Sequence, residues 1–340
     1  LRGAWRAIIA QQTHRQLTCV TVVRDEPPDT RASQLSALIR RLQVTPGSKV
    51  DLERDHDPAY RAGWMHKSQA AEQLQLSVRL LAEYQRRLAA QDVHGLLVVL
   101  QGIDGAGKDG TIRHVMSGIN PQGVAVHSFK VPSEEELGHD FLWRYAQRLP
   151  ARGQIAIFNR SHYEEVLVVR VHPQLLDRQR LPPAARRGDI WLRRYREIND
   201  WERYLVENGL SVVKLFLNLS REEQRVRFLK RIDRPDKNWK FSAADIRERA
   251  HWDDYQRAFS EMLTHTSTTW APWYVIPADH KWFAHIAAGA VLVQTLVSLN
   301  PQYPHVAADL RRDLQAARAE LEAEAPEGAT PDPYRARRHR

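Results

Sequence analysis

Five consecutive apolar residues, Leu96–Leu100, run into Gly102-Ile103-Asp104-Gly105-Ala106-Gly107-Lys108, and a helical pattern begins at the lysine. A Val-rich run without polar alternation reads as a strand buried on both faces, the mark of a parallel sheet covered by helices. A glycine-rich turn ending in Lys at the head of a helix points backbone N–H groups and the helix dipole at an anion, and its ammonium reaches the terminal phosphates. The strand before and the helix after make this match specific. Lys108 is the expected charge clamp, with Gly105, Ala106, Gly107 and Gly110 as cradle. Asp104 can reach a Mg²⁺ ion held between phosphates. The usual Ser or Thr after the lysine is replaced by Asp109, whose carboxylate suits the helix N-terminus and stays open to a catalytic reading as well.

The rest of the chain alternates in the way that strand implies. Further strands are predicted at Val124–Phe129, Gln154–Phe158, Val212–Leu217 and Tyr274–Ile276. Helical patterns lie at Lys67–Gln91, Glu134–Arg148, Tyr163–Val171, Arg187–Glu207, Arg221–Ile232, Ala243–Thr264 and His280–Leu299. Strands separated by helices imply crossover connections and an α/β three-layer fold: a mainly parallel five-stranded sheet with helices on both faces. Residues 1–55, broken by Pro27-Pro28-Asp29 and Pro46-Gly47-Ser48 and ending in the charged run Asp51–Asp57, read as a peripheral, disordered extension. Residues 56–305 form the main domain, and 306–340 a helix near Ala307–Glu324 followed by a basic tail, Arg335–Arg340. The most apolar stretch, Ile286–Leu299, is too short to span a bilayer and reads as a buried helix.

Ligands in such sheets bind beyond the carboxyl ends of the strands. Two further groups of residues fall there. Asn159-Arg160-Ser161-His162-Tyr163-Glu164 follows the third strand, with Asn159 where many phosphate-loop enzymes place a metal-binding Asp. Arg160 can fork onto a phosphate, Glu164 faces the same cleft, and Ser161 suits a helix cap. Arg225, Arg227, Lys230 and Arg231 then lead into a Pro-broken loop with Arg234, Lys237 and Lys240. In nucleotide kinases a lid at this point closes over phosphates, here about residues 221–245. Trp239 reads as packing, as do Trp252, Tyr255, Trp270, Trp273 and Tyr274; Arg113 on the loop helix is a candidate for the phosphate path.

Together these segments resemble the family-2 polyphosphate kinases. The resemblance rests on Gly102–Ile112, Phe158–Val171, Asp233–Phe241 and Trp270–Ala278, and it covers about residues 60–304. It implies a P-loop kinase domain like thymidylate kinase with a helical lid, and Mg²⁺-dependent transfer between inorganic polyphosphate and a nucleotide. Mn²⁺ is an expected substitute. Members restricted to one nucleotide level carry a motif resembling Asp-Arg-Ser-Trp-Tyr-Asn. Asn159 and Glu164 instead resemble the subgroup that accepts both AMP and ADP, with ATP as product and guanine nucleotides as further acceptors. On this reading Asp104 takes most of the metal's charge, Arg160 and Arg170 hold the acceptor phosphates, and Arg113, Arg231, Arg234, Lys237 and Lys240 line the polymer path. A homodimer or homotetramer is implied as well.

The net charge of +9 suits a polyanionic partner, and the single cysteine, Cys19, excludes an intrachain disulfide. No secretory signal or recognition-helix pattern is evident, so a cytoplasmic enzyme without membrane or nucleic-acid partners is expected. An ATP-dependent nucleoside or nucleotide kinase, and a nucleic-acid-binding protein on the same loop, stay as alternative readings.

Overall fold

In the computed structural model, residues 30–63, 67–240, 243–326, 329 and 332 are described. Residues 1–29 of the expected extension and the tail Arg335–Arg340 lie outside them. The chain divides into two compact units, Leu1–Pro301 and Gln302–Arg340. The second holds one described helix, Ala308–Ala323, all of whose residues are at least partly exposed.

The first unit is a five-stranded parallel sheet of β1 (Gly95–Gln101), β2 (Val124–Ser128), β3 (Ile155–Asn159), β4 (Leu210–Asn218) and β5 (Trp273–Pro277), in the order β2-β3-β1-β4-β5. Every residue of β1 is buried, as its unbroken apolar run requires. Alternate residues feed two cores. Leu96, Val98 and Leu100 pack with Ile155, Ile157, Val213, Leu215 and Ile276 under α1 (Thr30–Leu42), α2 (Lys67–Gln91), α3 (Lys108–Val115) and α4 (Lys281–Leu299). Leu97 and Val99 pack with Ala156, Phe158, Val212, Phe216 and Val275 under α5 (Ile190–Glu207) and α6 (Trp252–Thr266).

Helix α4 is 19 residues long, so by length and composition it meets the requirement for a membrane span that the shorter run Ile286–Leu299 was expected to miss. Its side chains from Phe283 to Val297 are nonetheless mostly buried against the sheet and α2, which makes it a core helix.

The segment expected to be peripheral is part of this core from residue 35 onward. Leu35, Leu38, Ile39 and Leu42 recur at helical spacing and are buried in one core; Val44, Val50 and Leu52 are buried in the other. Between them the chain crosses the open edge of β5: Val44 N donates to Trp273 O at 2.9 Å, and Ser267 Oγ donates to Val44 O at 2.7 Å. The Pro-Gly-Ser turn and the charged run mark a loop between two buried segments. They do not mark the edge of the domain.

Three expected helices are interrupted. Gly138-His139-Asp140 divides Glu134–Leu137 from Trp143–Ala146; His162–Val166 is a 3₁₀ turn before the single helical turn Val168–Val171; and His251 separates Ala243–Ala250 from α6. The second break matters for function, because it turns Tyr163 into the core and Glu164 toward the cleft.

Candidate functional site

The strand order reverses direction at β1, whose neighbours are β3 and β4, and this is where an open α/β sheet forms a ligand crevice. Register brings the two main motifs together there. Leu100 lies opposite Asn159, and Arg160 N donates to Leu100 O at 3.1 Å. The glycine loop leaving β1 and the turn leaving β3 are therefore side by side before any side chain is considered.

Gly105 and Gly107 hold φ values of 87° and 102°, in the left-handed region that favours glycine. A Cβ on Gly105 would also stand 3.1 Å from the Phe228 ring. Lys108 folds back over the loop it follows, donating to Gly102 O at 2.6 Å and Ile103 O at 3.4 Å. Burial lowers its pKa, opposed by the neighbouring Asp104 carboxylate.

Arg160 Nη2 donates to Asp104 Oδ1 at 2.6 Å, and Asn159 Nδ2 donates to Asp109 Oδ1 at 2.8 Å. Each member of the β3 turn is thus paired with a carboxylate of the loop. Asp109 stands in the first turn of α3, where the dipole favours it, and accepts the hydrogen bond from Asn159. Burial works to raise the Asp104 pKa, yet the charges of Lys108 and Arg160 outweigh it and hold the carboxyl below its ordinary value. Gly110 lies beside His285, and Ser161 caps the following turn through Tyr163 N.

Glu164 behaves oppositely. Burial pushes its carboxyl above the ordinary value, against the pull of Arg160 and Lys108. A group whose folded pKa is raised contributes stability that is complete below its unfolded pKa and is lost as pH rises through the folded one. Glu164→Gln cannot ionise. Its melting temperature is expected to exceed that of the unsubstituted protein increasingly as pH rises through this window, and the two should converge in acid. Thermal melts from about pH 4 to about pH 8 test this. A gap that does not change with pH would rule out a burial-raised carboxyl at this position.

The cationic helix α7 (Arg221–Ile232) divides its labour. Arg227 is buried and spans two strand ends. Its guanidinium donates to Gly105 O and Ala106 O, each at 3.0 Å, and to Ala278 O at 2.5 Å and Asp279 O at 3.1 Å. Gln224 Nε2 adds a bond to Asp104 O at 2.8 Å. These two side chains brace the loop; in the sequence Arg227 stood only as one of the cations leading into the lid, and Gln224 was not singled out. Their signal was spacing: residues 224, 227 and 228 fall on one helix face and all are buried.

The outward cations are the candidates for polymer contact. Arg231 pairs with Asp245 at 3.4 Å and lies among the charges acting on Asp104. Arg234 forks onto Asp236, Lys237 is exposed, and Arg113 is exposed on α3. Lys240 ends the turn Asn238–Lys240, and its side chain lies outside the described residues. Lys281, at the head of α4, shares a neighbourhood with Arg227, Lys230 and Lys237. Its position after the last strand end was the available clue. Trp239, expected to pack, is 73% exposed and donates its indole N–H to Asp236 O.

Arg170 is not gathered into this cluster. It donates to Tyr195 Oη at 2.9 Å and pairs with Glu261 at 2.5 Å, between α5 and α6. Behind the β3 turn lies a cavity of about 320 Å³ lined by residues that include Leu137, His139, Phe141, Glu165, Gln179 and Arg194. Arg194 is stacked 4.8 Å from the Phe141 ring centre and bonded to Glu165 at 2.7 Å.

A phosphate loop, a paired Arg and Asp at the neighbouring strand end, and a cationic helix beyond them define a P-loop kinase fold. The comparisons with known proteins are more specific. Residues 64–304 match the sequence profile of polyphosphate kinase 2, and the chain belongs to that family. It is 47% identical over 286 residues to an ADP-polyphosphate phosphotransferase of Rhodopseudomonas palustris, covering 83% of this chain and 98% of that one. It is 44% identical over 269 residues to an AMP/ADP-polyphosphate phosphotransferase of Meiothermus ruber, with 78% and 96% covered. The crystal structure of polyphosphate kinase 2 from Arthrobacter aurescens superposes with a TM-score of 0.72 at 39% identity, covering 81% of this chain and 95% of that one.

Proposed function

We propose that this protein transfers phosphoryl groups reversibly between inorganic polyphosphate and nucleotides, converting AMP to ADP and ADP to ATP, with guanine nucleotides as further acceptors. The observation that carries the reading is the register-enforced meeting of Lys108 with the Asp104–Arg160 pair at one crevice. Family membership and the names of the relatives support it.

Phosphoryl transfer passes through a loose transition state, so the protein's task is to position groups and stabilise charge. The terminal polyphosphate group is assigned to the loop N–H groups of residues 105–108 and the Lys108 ammonium. Arg231, Arg234, Lys237, Lys240 and Arg113 neutralise the following phosphates. Arg160 spans donor and acceptor, and an oxygen of the acceptor's terminal phosphate attacks in line. The acceptor nucleoside is assigned to the cavity behind the β3 turn, which Glu165 and Arg194 line. Arg170 reaches acceptor phosphates only if it exchanges Glu261 for them, which makes it the weakest member of the expected set.

Mg²⁺, or Mn²⁺ in its place, fits the donor set. Asp104, held ionised by Lys108 and Arg160, is a hard oxygen donor beside the phosphate cradle, and Mg²⁺ in such sites takes one or two carboxylates and otherwise phosphate and water oxygens. Asp104 would hold the ion, which would offset charge on the phosphate oxygens. We also assign the protein to the cytoplasm, as a homodimer or homotetramer.

The deciding assay supplies polyphosphate as the only donor with AMP or ADP, and follows ADP and ATP by chromatography. Both acceptors should turn over. Turnover with ATP alone as donor would assign an ordinary nucleotide kinase instead.

A further inference from the structure

A fully buried ion pair with its own hydrogen-bond network lies outside the cleft. Lys214 of β4 and Glu202 of α5 form an ion pair at 2.6 Å with both side chains fully buried. The ammonium uses all three of its donors: to Glu202 Oε2 at 2.6 Å, to Tyr163 Oη at 2.9 Å and to Thr266 O at 2.6 Å. Tyr163 Oη in turn donates to Glu202 Oε1 at 2.8 Å, and His162 Nε2 lies 3.2 Å from the same oxygen. That oxygen is an acceptor, so Nε2 carries the proton. Trp273 packs edge-on against the Tyr163 ring, with centroids 4.7 Å apart.

Stability alone does not account for this arrangement. Burying two ions carries a large desolvation cost, and well-packed apolar residues commonly do as well or better. What the pair does is fix in one place the two residues that follow the cleft turn. Arg160, two residues before His162, has a φ of 63°, in the left-handed region that a side chain of its size seldom occupies. Such a conformation persists only where its surroundings over-determine it. On the near side the turn is held by Arg160 N to Leu100 O and by Gln101 Nε2 to Ser161 Oγ at 3.0 Å. On the far side it is held by His162 and Tyr163 on the buried pair. Glu164 follows directly.

We infer that Glu202 and Lys214 are positioning residues for phosphoryl transfer, acting through Tyr163 and His162 to set the turn that presents Arg160 and Glu164 to the phosphates. The inference rests on the proposed function of that cleft. Loss of the network shifts the turn without removing a phosphate contact, so it lowers kcat and leaves polyphosphate affinity, set by the loop and lid cations, in place.

Tyr163→Phe tests this with least disturbance, since it keeps the ring and removes the hydroxyl that bridges both ions. Polyphosphate-driven turnover is expected to fall about tenfold to 10²-fold in kcat, the loss that follows a small misplacement of reacting groups. KM for polyphosphate should stay within about twofold. The double variant Lys214→Met/Glu202→Gln, which buries neither ion alone, should melt near the unsubstituted protein yet keep the lowered kcat. Recovery of kcat along with melting temperature, or full turnover by Tyr163→Phe, would overturn the inference. If the double variant does not fold, Tyr163→Phe decides alone. The unsubstituted protein is the control: if it shows no polyphosphate-driven turnover, the proposed function fails, whereas normal turnover in both proteins fails the positioning role only.

Discussion

Lys108→Ala is expected to lower polyphosphate-dependent ATP formation on the order of 10³-fold while the protein stays folded, because it removes the cation around which three carboxylates are arranged. Asp104, Glu164 and Asp109 all act on the Lys108 ammonium. Without it Arg160 is left to offset the Asp104 and Glu164 carboxylates at the loop. Backbone N–H groups and the helix dipole remain, so binding weakens less than turnover. The backbone of the loop does not depend on the lysine, since Arg227 and Gln224 hold Gly105, Ala106 and Asp104 from the opposite side. Initial rates at saturating polyphosphate, with circular dichroism and thermal melts as controls, separate the two effects. A folded alanine variant working within tenfold of the unsubstituted rate would remove Lys108 from the mechanism.

The parts legible in the sequence were those governed by local pattern. The unbroken Leu96–Leu100 run specified a doubly covered strand, and the glycine spacing specified the loop, because backbone conformation and burial leave direct traces in composition. Helices with uninterrupted periodicity, such as Lys67–Gln91 and Arg221–Ile232, match the expected bounds. What stayed hidden were tertiary choices. Residues 35–52 look peripheral until the β5 edge they cover is known. Arg227 cannot be told from its solvated neighbours by type; only helix phase separates the buried guanidinium from the exposed Arg225, which pairs with Glu222. Arg170 follows the cleft motif closely, yet the break after Val166 turns it away to Glu261. Lys214 inside β4 reads as a flaw in an apolar strand, and its partner Glu202 lies on a helix that carried no motif.

Arg160→Gly should separate chemistry from stability most cleanly. In the left-handed region a non-glycine residue costs about 1 kcal/mol or more, which glycine does not incur. Against this, the variant loses the Arg160–Asp104 pair, whose side chains are 38% and 35% exposed and whose worth is on the order of 0.5–1 kcal/mol. The two nearly offset each other, so the melting temperature of Arg160→Gly should stay close to that of the unsubstituted protein. Arg160→Ala, which loses the pair and keeps the unfavourable φ, should melt lower than Arg160→Gly. Turnover should fall in both variants by on the order of 10²-fold to 10³-fold, because the forked guanidinium proposed to bridge the donor and acceptor phosphates is gone. Arg160→Lys keeps the charge without the fork and should fall between them and the unsubstituted protein. Melting curves and rates on the same preparations test both halves. Glycine and alanine variants of equal stability would remove the strain argument, and a glycine variant retaining more than a tenth of the original rate would remove Arg160 from phosphoryl transfer.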